Sequence, residues 1–174
     1  MKTRTTYVVG GVRIPFMKSM TAYRDVTTPE LMTASLKSLV ERYNLKGKVV
    51  GDVALGALMQ SSANWNFARE VVQASGLHPN TPAYNVQRAC GTSLETTIQI
   101  AHKISSYQIE SGIAGGVDSN SDLPIMVTRS FSQKLVALNS ARTLGEKLRI
   151  FLSFRPSDLK PVPPAVVEPR TGKS

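Results

Sequence analysis

The stretch Ala83-Tyr84-Asn85-Val86-Gln87-Arg88-Ala89-Cys90-Gly91-Thr92-Ser93-Leu94-Glu95 contains the only cysteine of the 174-residue chain. Apolar residues lead into a turn of small residues at Cys90, and a helical pattern follows directly. This order predicts that Cys90 lies between a strand and the amino end of a helix. Free N–H groups and the helix dipole at such an end favour the thiolate, the nucleophilic form of cysteine. Cys90 is therefore the candidate catalytic nucleophile. The alternative is a small buried apolar residue, since free cysteines are often buried.

Strand and helix patterns alternate on both sides of Cys90. The sequence predicts a helix that begins at an N-cap Thr28, with Pro29 in its first turn, and ends near Gly47. Short strands alternating with longer helices are typical of βαβ units, and they predict an α/β fold with a parallel or mixed sheet between helix layers. Reactive groups in such sheets lie at the carboxyl ends of strands, where Cys90 is expected. The other predicted elements are strands at 6–9, 53–58, 83–87 and 111–117, and helices at 66–75 and 93–107.

The pattern changes after residue 121. Two short helices are predicted around 124–138 and 143–154, the second with a Thr-x-x-Glu capping box at its start. Five prolines between 155 and 170 favour an extended arm over a regular helix. The predicted organisation is therefore an α/β domain at 1–121 followed by part of an irregular, helical loop domain at 122–174.

Positive charge is concentrated in the last quarter of the chain. The formal net charge is +9, and residues 129–174 carry nine Lys and Arg against three Asp and Glu. Such a segment suits a phosphate-bearing ligand, an anionic lipid surface, a nucleic acid or only solvent. Because its only aromatic residues are Phe131, Phe151 and Phe154, we expect no nucleic-acid partner.

The composition also limits the class of protein. One cysteine excludes an internal disulfide and a multi-cysteine metal site, so no metal ligands are predicted. No apolar run reaches the length of a signal peptide core or of a membrane span. The expectation is a cytoplasmic protein.

Four stretches together resemble the amino-terminal half of the thiolases. They are VVGGVRIPF at 8–16, FAREVVQASGL at 67–77, NVQRACGTSL at 85–94 and AGGVDSNS at 114–121. The third is similar to the segment that carries the nucleophilic cysteine of that family. Residues 121–125 and 138–143 further resemble thiolases related to the β-subunits of fatty-acid oxidation complexes.

The resemblance implies a fold and a chemistry. The fold would be a thiolase-like βαβαβ half-domain with a mixed sheet and helix layers, plus the start of a loop domain. The activity would be acyl transfer between coenzyme A thioesters through Cys90, either thiolysis of a 3-oxoacyl-CoA or the reverse Claisen condensation in fatty-acid metabolism. Coenzyme A would be a substrate, with no separate cofactor, and the amide of Cys90 would stabilise the oxyanion.

The resemblance also implies partners. In the family, an activating histidine, a second cysteine and a further oxyanion segment lie in the carboxyl-terminal half, which residues 1–174 do not contain. His78 and His102 do not match that histidine. We therefore expect negligible turnover from the chain alone, and a homo-oligomer or a complementing thiolase chain. Residues 129–174 would bind coenzyme A and contact a fatty-acid-oxidation partner subunit or an anionic membrane surface. The alternative is a non-catalytic thiolase-like subunit that binds acyl-CoA or scaffolds a partner.

Several further side chains have two interpretations. Met17 and Met20 suit either an acyl pocket or ordinary packing. Arg69 suits either a phosphate or a neighbouring carboxylate or carbonyl. Asn64 and Trp65 are expected at a dimer interface, because thiolases often place that loop there.

Overall fold

The computed structural model describes residues 3–162, 167–168 and 170–173. It divides the chain into two compact units, Met1–Leu123 and Pro124–Ser174, where the sequence placed the division after residue 121. Each unit is described by itself below.

The first unit is a three-stranded sheet with three helices. All the pairings are parallel in the strand order β2-β1-β3, with Val53 opposite Ala83 and Asp52 opposite Gly112. The predicted α/β fold class is confirmed, and these three strands form a purely parallel rather than a mixed sheet. In chain order the elements are α1 Thr28–Arg42, β1 Asp52–Gly56, α2 Phe67–Ser75, β2 Ala83–Val86, α3 Thr92–Ser105 and β3 Gly112–Gly116.

The central strand β1 organises the core. Every residue of β1 is buried, as is typical of a parallel strand covered on both faces. Because side chains alternate along a strand, Val53 and Leu55 pack against the layer of α1 and α2. Ala54 points the other way, into the cluster that includes Ile100 of α3. The helix behind Cys90 is thereby packed on one face of the sheet.

The predicted strand at 6–9 is wrong. Among the described residues no strand pairs with this segment, and Tyr7, Val8 and Val9 are 78–86% exposed. The segment runs instead beside α3, where Arg4 N–H donates to the Ser105 carbonyl and the Thr6 hydroxyl donates to the Ala101 carbonyl. Apolar, β-branched residues favour a strand, but a strand also needs a ladder of hydrogen bonds.

The start of α1 also differs from the prediction. The N-cap is Thr27 rather than Thr28, and Pro29 lies in the first turn as expected. The Thr27 hydroxyl accepts from the Glu30 N–H, and the Glu30 carboxylate accepts from the Thr27 N–H at 2.8 Å. This capping box selects Thr27, because Glu30 stands three residues after it.

In its described residues, the second unit contains two helices and a short 3-10 helix. These are α4 Arg129–Ser140, α5 Leu144–Leu152 and the 3-10 helix Pro156–Leu159. The predicted capping box of Thr143 and Glu146 is confirmed. The extended arm predicted for 155–170 is wrong at its start, since Pro156 opens a helical turn, where the fixed φ of proline is favourable. Residues 163–166 and 169 of that predicted arm lie outside the described residues.

The second unit is held by an ion pair and an aromatic cluster. The carboxylate of Asp158 is buried and lies 2.6 Å from the Lys134 ammonium. The rings of Phe131 and Phe154 meet edge to face at a centroid distance of 5.4 Å.

Within the described part of the chain, no helix combines the length and apolar character needed to cross a membrane.

Candidate functional site

Cys90 lies in a tight turn between β2 and α3, as the sequence predicted. Its side chain is exposed, which excludes the alternative of a buried apolar residue. The preceding residue, Ala89, has a φ of 45°, a left-handed conformation that residues with a Cβ rarely adopt. A strained residue directly before an exposed thiol is a geometry associated with functional sites.

Two contacts hold the turn in this conformation. The Thr92 hydroxyl accepts from the Arg88 N–H and donates to the Ala89 carbonyl, each at 2.8 Å. Below it, a Cβ added to Gly56 would overlap the Val86 carbonyl and the Thr92 methyl group. Gly56 therefore lets the sheet approach the turn closely.

The amino end of α3 points toward Cys90. Gly91 is the N-cap and has no side chain to pair with the first N–H groups of the helix. The N–H groups of Gly91 and Thr92 donate to carbonyls within the turn. Among the described residues, no acceptor pairs with the N–H of Cys90 itself. Within the part of the chain that the structure describes, that group is an unpaired donor beside the thiol, which is the arrangement that stabilising an oxyanion requires.

The acidic residue nearest to the turn in the sequence is held by two hydrogen bonds. Glu95, in the first turn of α3, accepts from Gln99 at 2.9 Å and from Arg88 at 2.5 Å. These two hydrogen bonds lower the pKa of Glu95 below its usual range. Its carboxylate is therefore ionised but paired, so it is not available as a general base for Cys90.

The two histidines have other positions. His78 follows α2, and its Nδ1 accepts from the Asn80 N–H at 3.1 Å. His102 lies twelve residues after Cys90 in the last part of α3, roughly 18 Å along the helix axis. Neither histidine is placed to take a proton from the thiol.

Arg69 has a structural role in this unit. Its guanidinium donates to the carbonyl oxygens of Thr81, at 2.8 Å, and Pro79, at 2.5 Å. Of its two interpretations, the structure therefore supports the carbonyl contact rather than a phosphate site.

The carboxyl ends of the three strands are tied together beside Cys90. The Gln87 side-chain amide donates to the Leu58 carbonyl, and the Asp118 carboxylate accepts from the Leu58 N–H, both at 2.6 Å. Sequence analysis did not single out Asp118 beyond its similarity to a thiolase motif. Asp118 follows β3 at the carboxyl edge of the sheet, and residues at that edge are the ones expected to lie near a functional site.

A groove of about 350 Å³ opens at the same edge of the sheet. Its walls are the loop 12–19 and the segment 116–121, and its floor includes the buried side chains of Leu31 and Met32 on α1. Met17 lines the groove, whereas Met20 does not. Sequence analysis missed this groove because its walls come from segments about 100 residues apart.

Among the described residues, no cluster of side chains suits a metal ion.

Comparisons with known proteins fit this geometry. The family model of the thiolase N-terminal domain matches residues 6–146. The chain belongs to the thiolase family. It is 44% identical over 167 residues to the 3-ketoacyl-CoA thiolase of Shewanella amazonensis and 42% identical to that of Shewanella oneidensis, with 96% of this chain covered in each case. Among solved structures, it is similar to the acetyl-CoA acetyltransferase of Bacillus anthracis, with a TM-score of 0.59 and 27% identity over 68% of this chain.

The matched regions are one part of these thiolases. The chain spans 38% of the length of the two Shewanella proteins and 28% of the Bacillus anthracis chain. The resemblance read from the four sequence stretches is thus confirmed for the amino-terminal domain of the family.

Proposed function

We propose that this chain supplies the nucleophile of a thiolase, and that Cys90 transfers acyl groups between coenzyme A thioesters. The observation that carries the proposal is the exposed thiol at the amino end of α3, beside a backbone N–H that no described residue accepts from. A thiolate suits this reaction because its leaving ability matches that of the coenzyme A thiol, so that acyl transfer is nearly balanced in both directions.

In the first half-reaction, the Cys90 thiolate attacks the 3-oxo carbon of a 3-oxoacyl-CoA and forms a carbon–sulfur bond. The bond between carbons 2 and 3 then breaks, and acetyl-CoA leaves after its carbon 2 takes up a proton. In the second, the thiol of another coenzyme A attacks the acyl-cysteine, which releases acyl-CoA and restores the thiolate. The Cys90 N–H is suited to stabilise the oxyanion that precedes each release.

We assign the groups that move protons to a complementing thiolase segment. Within the described residues, the His78 ring accepts from the Asn80 N–H, His102 lies in the last part of α3 and Glu95 is paired. A thiol without a neighbouring base retains only the effect of the helix end. We therefore expect negligible thiolysis by residues 1–174 alone.

A fusion experiment tests the proposal. Residues 1–174 are joined to the remaining carboxyl-terminal portion of the Shewanella amazonensis relative, and cleavage of acetoacetyl-CoA by coenzyme A is measured. We expect turnover by the fusion, none by its Cys90→Ser variant and none by residues 1–174 alone. A folded but inactive fusion would contradict the assignment, and equal turnover by residues 1–174 would contradict the need for a complement.

A non-catalytic subunit that only binds acyl-CoA is the competing function. The two are separated by the rate of alkylation of Cys90 with iodoacetamide as a function of pH. A reactive thiol at neutral pH supports the catalytic function, because only the thiolate is alkylated at an appreciable rate. A thiol that reacts no faster than that of free cysteine supports the binding subunit.

The surface of the second unit favours an additional role at an anionic lipid surface. Four apolar side chains of α5 lie at helical spacing and are exposed, from 58% for Leu148 to 85% for Leu144. The same unit carries nine cationic and three acidic residues. An exposed apolar helix face flanked by cations is typical of segments that lie at membrane interfaces.

Vesicle sedimentation tests that role. We expect binding to vesicles with anionic lipid that weakens as salt is added and is lost in Leu148→Glu, with Ala137→Glu on α4 as the exposed control. Equal binding by both variants would contradict it. In that case we would expect α5 to bind a protein partner, such as a fatty-acid-oxidation subunit.

Self-association is proposed from the first unit. Trp65 is 96% exposed, and the neighbouring Asn64 is held by the Glu70 carboxylate at 2.9 Å. A loop that presents an exposed indole suits an interface, because large aromatic residues are enriched there. Trp65→Ser is expected to shift a sedimenting oligomer toward the monomer.

A further inference from the structure

We propose that Arg88 is a positioning residue for the nucleophile, and that it acts by neutralising the Glu95 carboxylate beside the Cys90 thiol. The proposal rests on the proposed function of Cys90 and adds a residue that tunes it. A carboxylate close to a thiol opposes formation of the thiolate, because both groups are anions. The charges around the turn therefore decide how much thiolate is present at neutral pH.

Glu95 is close to the thiol through the first turn of α3. Its N–H donates to the Gly91 carbonyl at 2.9 Å, so residues 91 and 95 are one helical turn apart. Gly91 is one peptide step from Cys90, and the Cα atoms of Cys90 and Glu95 are therefore at most about 10 Å apart. At this distance an unpaired carboxylate would repel the thiolate.

Arg88 is fixed beside Glu95 by its backbone as well as by its side chain. Its N–H donates to the Thr92 hydroxyl at 2.8 Å, and its carbonyl accepts from the Gly91 N–H at 3.0 Å. Its guanidinium reaches the Glu95 carboxylate at 2.5 Å, across the turn that carries Cys90. Three contacts to the start of α3 thus hold the cation next to this carboxylate.

The Glu95 carboxylate is held in place and ionised. One oxygen pairs with Arg88, and the other accepts from the Gln99 side-chain amide at 2.9 Å. The hydrogen bonds from Gln99 and Arg88 lower the pKa of Glu95, so the carboxylate keeps its charge in the pH range where a thiol titrates. The Glu95 side chain is only 18% exposed, so solvent would screen its charge poorly if the cation were removed.

Other charged groups do not replace Arg88. Those that lie at this edge of the sheet or further along α3 toward Glu95 are Asp118, Arg13, Lys18 and His102. The loop 57–66, which follows β1, contains none. The Asp118 carboxylate accepts from the Leu58 N–H at 2.6 Å. In the described part of the chain, only Arg88 forms an ion pair with Glu95.

The pH dependence of alkylation by iodoacetamide tests the proposal in residues 1–174. The Cys90 thiolate displaces iodide from this uncharged reagent, so the midpoint of the rate against pH reports the pKa of the thiol. Arg88→Gln is expected to raise that midpoint by about half a pH unit and to slow alkylation about threefold at neutral pH, the effect of one charge at about 10 Å. Arg88→Lys keeps a cation and is expected to stay near the parent midpoint. Equal midpoints in Arg88→Gln and the parent protein contradict the proposal.

A double variant separates charge balance from a purely structural role of the ion pair. Arg88→Gln combined with Glu95→Gln removes both charges and is expected to return the midpoint to the parent value, although the pair is still absent. Glu95→Gln alone is expected to lower the midpoint, because the cation remains. Arg24→Gln removes the cation of the exposed pair with Asp25 and is the control, with no change expected. A midpoint that stays raised in the double variant contradicts the proposal.

The outcomes also separate this inference from the function on which it rests. Rapid alkylation of Cys90 at neutral pH, with the same midpoint in Arg88→Gln, contradicts the role of Arg88 and leaves Cys90 as the proposed nucleophile. Midpoints that shift as expected, together with undiminished thiolysis by the Cys90→Ser fusion, support the charge balance and contradict the nucleophilic function.

Discussion

Ala89 and Gly56 determine the conformation of the turn that carries Cys90. Ala89 adopts a left-handed φ, a conformation in which a Cβ costs about 1–2 kcal/mol. Gly56 leaves the space that the Val86 carbonyl and Thr92 need. Neither feature follows from composition, because each depends on which backbone lies opposite. The small residues before a helical pattern therefore predict the turn. They do not predict that Gly56 lies beneath it.

Gly56→Ala is expected to destabilise the first unit by about 3 kcal/mol, because the added methyl group overlaps a backbone carbonyl that cannot move aside. Urea unfolding measures the change. Gly11→Ala is the control, since its Cβ would meet no atom within 4 Å, and its free energy of unfolding should stay within about 0.5 kcal/mol of that of the parent protein. Equal losses in the two variants would contradict this explanation of the turn.

At the scale of elements, α3 is fixed on the sheet by a polar contact as well as by its apolar face. The Lys103 ammonium lies 2.5 Å from the Asp52 carboxylate at the start of β1 and 4.3 Å from the centre of the Tyr84 ring on β2. The hydrogen bond to Asp52 raises the pKa of Lys103 above its usual range. The pair joins the helix behind Cys90 to the two strands that precede it.

Lys103→Met is expected to cost about 1–2 kcal/mol of stability, because it leaves the Asp52 carboxylate, with a side chain only 10% exposed, without its cation. Thermal unfolding at neutral pH measures the loss. Glu110→Gln removes the exposed partner of Arg4 and should change stability by less than about 0.5 kcal/mol. A Lys103→Met protein as stable as the Glu110→Gln control would show that the pair does not hold α3.

The second unit depends on Asp158 in a pH-dependent way. Hydrogen bonds from Lys134 and from the Arg155 backbone lower the pKa of Asp158 from 3.8 to about 2. Because the folded pKa is the lower one, this carboxylate stabilises the unit above pH 3.8, and the contribution is lost as the pH falls toward 2.

We therefore expect the packing of Phe131 and Phe154 to loosen between those pH values, which the dispersion of their NMR resonances reports. Asp158→Asn should show the loosened state already at neutral pH, whereas Glu168→Gln in the same unit should follow the parent titration. Resonances of the parent protein that stay unchanged down to pH 2 would contradict the role of this ion pair.

Element prediction succeeded where local signals and tertiary contacts agree. Glycines, caps and periodicity placed α2, α3 and the capping box of α5 within one or two residues. It failed at 6–9, where strand-forming side chains have no partner strand among the described residues, and at Pro156, where proline opens a helical turn. In both cases the missing information is which backbone groups lie nearby.

At the scale of the whole molecule, the groups that we propose for catalysis lie at one edge of the sheet of the first unit. The proposed nucleophile Cys90 and a groove both lie at the carboxyl edge of a parallel sheet, and among the described residues no acceptor pairs with the Cys90 N–H and no base lies at the thiol. The chain also spans 38% of its Shewanella relatives. We infer that turnover requires the groups that a complementing thiolase segment brings to this edge.

Trapping the acyl-enzyme tests the central claim most directly. The fusion with the carboxyl-terminal portion of the Shewanella amazonensis relative is mixed with a 3-oxoacyl-CoA in the absence of free coenzyme A, quenched in acid within one turnover, and digested for mass spectrometry. The account predicts the acyl group on the peptide that contains Cys90, and no acylated peptide in Cys90→Ser. An acyl group on another residue, or undiminished thiolysis by Cys90→Ser, would contradict it.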